Sequence, residues 1–236
     1  MFEKIAELLS KKSLLDISMA ECKEMLEIDL QMFTEAQETL RKGPDKEAKL
    51  DIYNYDKKVN KLERSVRKKI LTHLAVGSKL DLNRALILTS IVIDLERIGD
   101  YTKNMYELAI IKNGQLNPSK WSEKLDQIEA DIVKSFSTLI GLFSTLNPDK
   151  VIAEEVIEQL LHYTKIFDDN IAEIIRGEVS DLSPSDAAVL VLYMRYLKRI
   201  SAHLRNVATG IVNPMHRIGF KVKKKHREQA QTDQAE

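Results

Sequence analysis

The chain has 236 residues, 44% hydrophobic and 31% charged, with only 8 Gly and 5 Pro, a balance that favours long helices with solvated faces over turn-rich β architecture. Its 36 Lys plus Arg match its 36 Asp plus Glu, so no global field attracts nucleic acid, and a nucleic-acid partner is not expected. The one cysteine, Cys22, excludes an intrachain disulfide and a cysteine-built zinc cage.

Residues 1–17 form a lead segment. Its apolar set Phe2, Ile5, Leu8 and Leu9 is broken by Glu3, Lys4, Glu7, Lys11 and Lys12, which is not the continuous run of a signal peptide, so export is not expected. Packing on the body of the protein is the expected use of this stripe, and a short interfacial helix is the alternative.

Apolar residues at three- and four-residue spacing then predict six helices. The first runs over 18–41, with Met25, Ile28, Leu30 and Phe33 among its apolar residues, and stops at Gly43-Pro44-Asp45. The second follows from there to about Leu74, carrying Val59, Leu62, Val66 and Ile70 on one stripe, and Gly77-Ser78 breaks it. The third covers 80–111 and ends at Asn113-Gly114. Asn117-Pro118-Ser119 opens a second pass through the same plan, with helices over 120–146, 149–176 and 184–212. The nearly apolar stretches Ala85 to Ile93 and Ala187 to Met194 are about half of the roughly 20 residues that cross a bilayer, so they read as buried helix, not as transmembrane segments.

The two passes are related in sequence. Pro44-Asp45-Lys46 recurs as Pro148-Asp149-Lys150, an offset of 104. At an offset of 102, Ala85, Leu88, Leu95, Arg97, Ile98 and Asn104 recur as Ala187, Leu190, Leu197, Arg199, Ile200 and Asn206. The expected architecture is all-α: two tandem three-helix bundles, 18–113 and 119–213, related by internal duplication. The basic, polar stretch 214–236, with Lys221-Val222-Lys223-Lys224-Lys225, reads as a disordered tail.

The strongest local signal is Asp94-Leu95-Glu96-Arg97-Ile98-Gly99-Asp100-Tyr101-Thr102-Lys103-Asn104 in the third helix. With Asp56-Lys57-Lys58-Val59-Asn60-Lys61-Leu62-Glu63 in the second, it resembles the signatures of the PhoU family, and with the duplicated order of helices the resemblance extends over about 18–213. Geometry gives these residues a reason of their own. At about 100° per residue, Glu96 and Asp100 lie about 40° apart, away from the core stripe of Leu88, Ile91, Leu95, Ile98, Thr102 and Met105. Asp56, Asn60, Glu63 and Arg67 flank the apolar stripe of helix two. Packing the two helices side by side would bring both polar stripes to one groove. Clustered carboxylates repel one another unless a cation or a basic residue neutralises them, and an all-oxygen set suits hard or borderline metals. Pairing of Glu96 and Asp100 with Arg97 and Lys103 on a solvated face is the plain alternative.

The resemblance implies a metal ion or cluster at Asp56, Asn60, Glu96 and Asp100 (iron, zinc, magnesium or manganese), in the first bundle only. Asn60 stands where many relatives have an acid. In the second bundle Lys198-Arg199-Ile200-Ser201-Ala202 replaces the acidic segment, and neither Glu158 with His162 nor Leu160 with Thr164 restores a paired acid. Asp168 and Asp169 read as a solvated face or a cap. The resemblance further implies a cytoplasmic, homodimeric regulator of phosphate transport and phosphate-starvation signalling. Such a protein is an adaptor to a phosphate transporter or a sensor histidine kinase at the membrane, not an enzyme. A regulator of a sodium–phosphate symporter and a metal-dependent phosphohydrolase are the alternatives. Gly77-Ser78-Lys79 lacks the glycine spacing of a phosphate loop. The five histidines are scattered and suggest no catalytic arrangement; His73 and His162 read as packing residues. Trp121 and the tyrosines follow helical spacing and read as core or interface.

Overall fold

The structure is a computed structural model that describes residues 13–44, 50–76, 81–145 and 147–220. Among these, six α-helices and two short 3-10 turns carry the fold, and there is no strand. Helix α1 spans Leu14–Lys42. It begins four residues before the expected Ser18 because Ser13 and Asp16 cap each other: the Asp16 amide donates to Ser13 Oγ and the Ser13 amide to Asp16 Oδ2. Its buried positions Leu15, Cys22, Met25, Leu26, Met32, Phe33, Ala36 and Leu40 recur at three- and four-residue spacing and make the inner face.

Helix α2 spans Ile52–Val76. The expected start at Pro44-Asp45 is corrected, since Leu50 and Asp51 are non-helical and the Asn54 amide donates to Asp51 Oδ1 at 3.0 Å. A carboxylate that accepts an orphan amide of the first turn sets the start more firmly than a proline several residues upstream. Residues 45–49 and the Gly77-Ser78 break lie outside the described residues. Helix α3 spans Leu82–Lys112 and stops where the sequence places the stop: Asn113 turns left-handed, φ 49°, and its amide donates to the Ala109 carbonyl.

Helix α4 spans Ser122–Leu142, preceded by a 3-10 turn over Ser119–Trp121. It ends four residues before the expected Leu146, because the chain leaves the helix in turns closed by Ser144 and Thr145 amides on the Gly141 and Leu142 carbonyls. Helix α5 spans Lys150–Ile175, capped by Asp149. Helix α6 spans Pro184–Val212, matching the expected range, with Ser183 as its cap and Pro at its first turn.

Helices α1, α2 and α3 pack on one another, as do α4, α5 and α6. The trios are joined by α3 against α6 and by α1 against α4, so one buried core runs through both. Phe33 of α1 meets Phe136 of α4 with ring centroids 5.8 Å apart. Gly210 lets α6 approach α3: a Cβ there would stand 2.9 Å from Ile91 Cγ2. Trp121, 5% exposed, belongs to this core, as read from its spacing.

Two polar groups fasten the trios. Glu129 of α4, 2% exposed, accepts from Tyr193 Oη of α6 at 2.5 Å and from Gln37 Nε2 of α1 at 2.6 Å. Arg41 Nε stands 3.7 Å from Glu129 Oε1, the oxygen that accepts from Tyr193. Burial pushes the Glu129 carboxyl up from its ordinary value, against the lowering effect of Tyr193, Arg41 and Gln37. On the α3–α6 seam, Asp94 Oδ1 lies 2.7 Å from His203 Nδ1 and accepts from Asn206 Nδ2 at 2.9 Å. Tyr101 stacks on His203 there and accepts from Arg199 Nε.

The expected disordered tail is corrected at its start. Asn213 Nδ2 donates to the Arg217 and Phe220 carbonyls and the Gly219 amide to Thr209 Oγ1, so 214–220 fold back onto the end of α6. One buried amide satisfies several backbone carbonyls, which composition does not reveal. Residues 221–236, and 1–12 of the lead segment, lie outside the described residues.

Candidate functional site

Packing of α2 beside α3 makes the polar groove expected from the sequence. Asp56, Asn60 and Glu63 come from one stripe of α2. Glu96 and Asp100 come from one turn of α3. All four expected site residues are brought together. Asn60 Nδ2 donates to Asp56 Oδ2 at 3.3 Å, and the charges of Asp56 and Asp100 both act on Glu96. Burial first, then Asp100, lifts the Glu96 carboxyl above its ordinary value, against the opposing pull of Arg97.

The groove also holds its own cations. Lys103, one turn beyond Asp100, reaches across to α2: its Nζ is 3.0 Å from Asp56 Oδ1 and 3.4 Å from Asp100 Oδ1. Burial pulls its ammonium down, but the hydrogen bonds and charges of Asp56 and Asp100 together outweigh that and raise it. Arg97, half exposed, closes the outer side at 3.2 Å from Glu96 Oε2 and 2.9 Å from Asp100 Oδ2. Arg67 pairs with Glu63 at 2.7 Å.

Sequence reasoning missed the residue beneath. Asp29 of α1 is fully buried, 0% exposed, and neither carboxylate oxygen has a hydrogen-bond partner among the described residues. It sits under the turn of α3 that carries Glu96 and Asp100, because the glycine between them leaves it room: a Cβ on Gly99 would stand 3.0 Å from Asp29 Oδ1. Burial pushes the Asp29 carboxyl well above its ordinary value, and the charges of Asp56, Glu96 and Asp100 push the same way. One signal was available in the sequence. Asp29 interrupts the inner stripe of α1, four residues after Met25 and four before Phe33, where an acid has no solvent to face.

The donor chemistry fits a hard or borderline cation. Asp29, Asp56, Glu96 and Asp100 are oxygen donors whose charges act on one another, and a buried carboxylate without a partner is what such an ion would satisfy. As placed, with Lys103 and Arg97 holding the acids in separate ion pairs, no three His, Cys, Asp or Glu among the described residues stand close enough to enclose a metal.

The second trio offers no such groove. Lys198 stands at the position of Glu96 and donates to Asp168 of α5. Asp168, read from the sequence as a solvated face or a cap, is therefore half of an ion pair. Ser201 takes the place of Gly99 and is buried. Of the two histidines read as packing residues, His73 lies 3.2 Å from Asp81 and His162 packs against Tyr163.

The chain is an all-helical protein of two packed trios, with acids of the second and third helices of the first trio in one groove. In comparison with known proteins, residues 22–109 match the family described as the PhoU domain, which places that likeness in the first trio. Two curated relatives from strains of Xylella fastidiosa, each named "Phosphate-specific transport system accessory protein PhoU homolog", are 27% identical over 197 residues. That alignment covers 80% of this chain and 78% and 79% of theirs. The crystal structure of the phosphate transport system regulatory protein PhoU from Streptococcus pneumoniae superposes with a TM-score of 0.66 at 18% identity, covering 84% of this chain and 93% of that one. PhoU from Pseudomonas aeruginosa gives 0.63 at 21%, covering 88% and 96%. These two likenesses establish the fold. No helix among the described residues is long and apolar enough to cross a membrane.

Proposed function

We propose that this protein regulates phosphate transport and phosphate-starvation signalling, as a cytoplasmic adaptor to a phosphate transporter or its sensor histidine kinase, and that it is not an enzyme. The observation that carries this reading is the alignment over 80% of the chain with two phosphate-transport accessory proteins. It is supported by the convergence of Asp56, Glu96 and Asp100 in one groove, where the family signature lies. The long faces of the two trios bind partner helices, and the acidic groove tunes that binding.

The groove also takes a cation, of magnesium, manganese, iron or zinc, held by Asp56, Asn60, Glu96 and Asp100. Such an ion supplies positive charge that draws the acids of α2 and α3 together. Partner binding then depends on metal. The test is co-purification of the full chain with detergent-solubilised phosphate transporter, with and without chelator. Recovery that falls with chelator is the expected result. Equal recovery removes the metal and keeps the adaptor, and no recovery in either condition removes the transporter as partner.

A further inference from the structure

The groove of the first trio contains a cation that belongs to the chain. Lys103 Nζ lies between Asp56 of α2 and Asp100 of α3, at 3.0 and 3.4 Å, in the seat between the helices that a bound ion would share. Its four-carbon stem leaves it free to swing its charge into solvent, as lysines on helix faces do. Arg97 takes only the outer edge of Glu96 and Asp100.

Beneath this arrangement one group is left out. Asp29 faces the gap opened by Gly99, within reach of the charges of Asp56, Glu96 and Asp100, and neither Lys103 nor Arg97 bonds to it. A buried carboxylate without a donor is costly, and such groups are rare outside sites that bind something. Lys103 and Arg97 between them face Asp56, Glu96 and Asp100, so the groove holds one carboxylate more than its two cations balance, before Asp29 is counted.

We infer that Lys103 is a built-in competitor for the groove's divalent cation and that Asp29 is its hidden ligand from below: Asp56 and Asp100 exchange the Lys103 ammonium for the ion, and Asp29 gains its missing partner. The inference rests on the cation reading given above and adds two residues to it, one against binding and one for it. It makes occupancy of the groove a two-state choice between an internal ion pair and an external ion, so the orientation of α2 against α3 follows the availability of the ion.

The test is titration of the full chain with Mn²⁺ alone, followed by calorimetry and by the electron spin resonance signal of free Mn²⁺. Four proteins are compared: wild type, Lys103→Met, Asp29→Asn and the double variant. Lys103→Met, which keeps the stem and loses the charge, is expected to bind Mn²⁺ about tenfold tighter than wild type or better, the scale of removing one positive charge from a partly screened groove. Adding Asp29→Asn returns most of that gain. Lys103→Gln, which keeps a donor in place without the charge, gives the same direction and serves if the methionine variant fails to fold. Equal affinity in wild type and both Lys103 variants overturns the competition, and a double variant as tight as Lys103→Met overturns the role of Asp29. Absence of Mn²⁺ binding in all four proteins overturns this inference and the cation reading together, while leaving the adaptor reading to its own test.

Discussion

Among the described residues two carboxylates are buried, and they have opposite surroundings. Glu129, where the trios meet, has donors from two other helices: Tyr193 of α6, Gln37 of α1 and, further off, Arg41 of α1. Asp29, in the core of the first trio, has none and faces three further acids. Burial raises both carboxyls, yet only one is built into a satisfied network. A satisfied buried network specifies structure, whereas an unsatisfied one sacrifices stability and marks a place kept for function.

That contrast breaks first at Glu129. Glu129→Ala strands the Tyr193 hydroxyl and the Gln37 amide in the core, while Arg41 keeps Asp126, so urea unfolding is expected to show a loss of about 3–5 kcal/mol, the cost of removing one partner from a buried polar network. Gly99→Ala comes next. The new Cβ presses on Asp29 at 3.0 Å and on Val59 at 3.5 Å, so a net loss of about 1–2 kcal/mol is expected after the gain in helix propensity. Combining it with Asp29→Ala should recover about 1 kcal/mol or more as a coupling energy, because the two positions touch. Purely additive losses would mean that Asp29 does not lie against Gly99.

Asp29→Asn sharpens the comparison from the other side. In chelator at neutral pH it is expected to leave stability within about 1 kcal/mol of wild type, on the favourable side, since it removes a group that cannot ionise freely beside three acids and breaks no hydrogen bond. The sign of the pH dependence follows from linkage. The folded chain keeps the Asp29 proton at pH values where the unfolded chain, at the ordinary value of 3.8, has released it. Stability from this group is therefore greatest below 3.8 and falls as pH rises, until the folded group also ionises. Unfolding curves of wild type and Asp29→Asn should lie closest at acid pH and separate in favour of the variant as pH rises. A gap that instead widens toward low pH would show that Asp29 is ionised and paired.

The smallest effect is expected at Lys198→Met. The second trio's bridge to Asp168 joins two helices as Lys103 does in the first, but no buried acid lies beneath it. Its loss should change stability by no more than about 1 kcal/mol and leave Mn²⁺ affinity unchanged.

Much of this was legible in the sequence, for reasons that differ along the chain. Helix α6 was readable to the residue because Ser183-Pro184 and the apolar spacing after it act locally. The start of α2 was not, since Asp51 captures the Asn54 amide where Pro44 offered a more familiar signal. Glu96, Asp100, Asp56 and Asn60 were legible as a groove because i, i+4 acids beside an apolar stripe fix their own direction. The charges that Lys103 and Arg97 carry were visible as the plain alternative, though not the reach of Lys103 across to α2. Asp29 shows in the sequence only as an acid on the inner stripe of α1; its place under Gly99 depends on the register of α1 against α3, which no local pattern encodes. The fold-back of 214–220 escaped for the same reason: the Asn213 amide and the Thr209 hydroxyl hold it from the end of α6.

The account rests on the protein being a brake on phosphate uptake and signalling whose acidic groove is part of the device. The direct measurement is uptake of labelled phosphate by the native cell grown in abundant phosphate, with the coding sequence deleted and then restored. Uptake or starvation signalling should rise on deletion, return to the original level with the wild-type chain, and stay raised with Glu96→Gln/Asp100→Asn expressed to the same amount. Uptake and signalling that do not respond to deletion would contradict the account, and full restoration by the double variant would take the groove out of it.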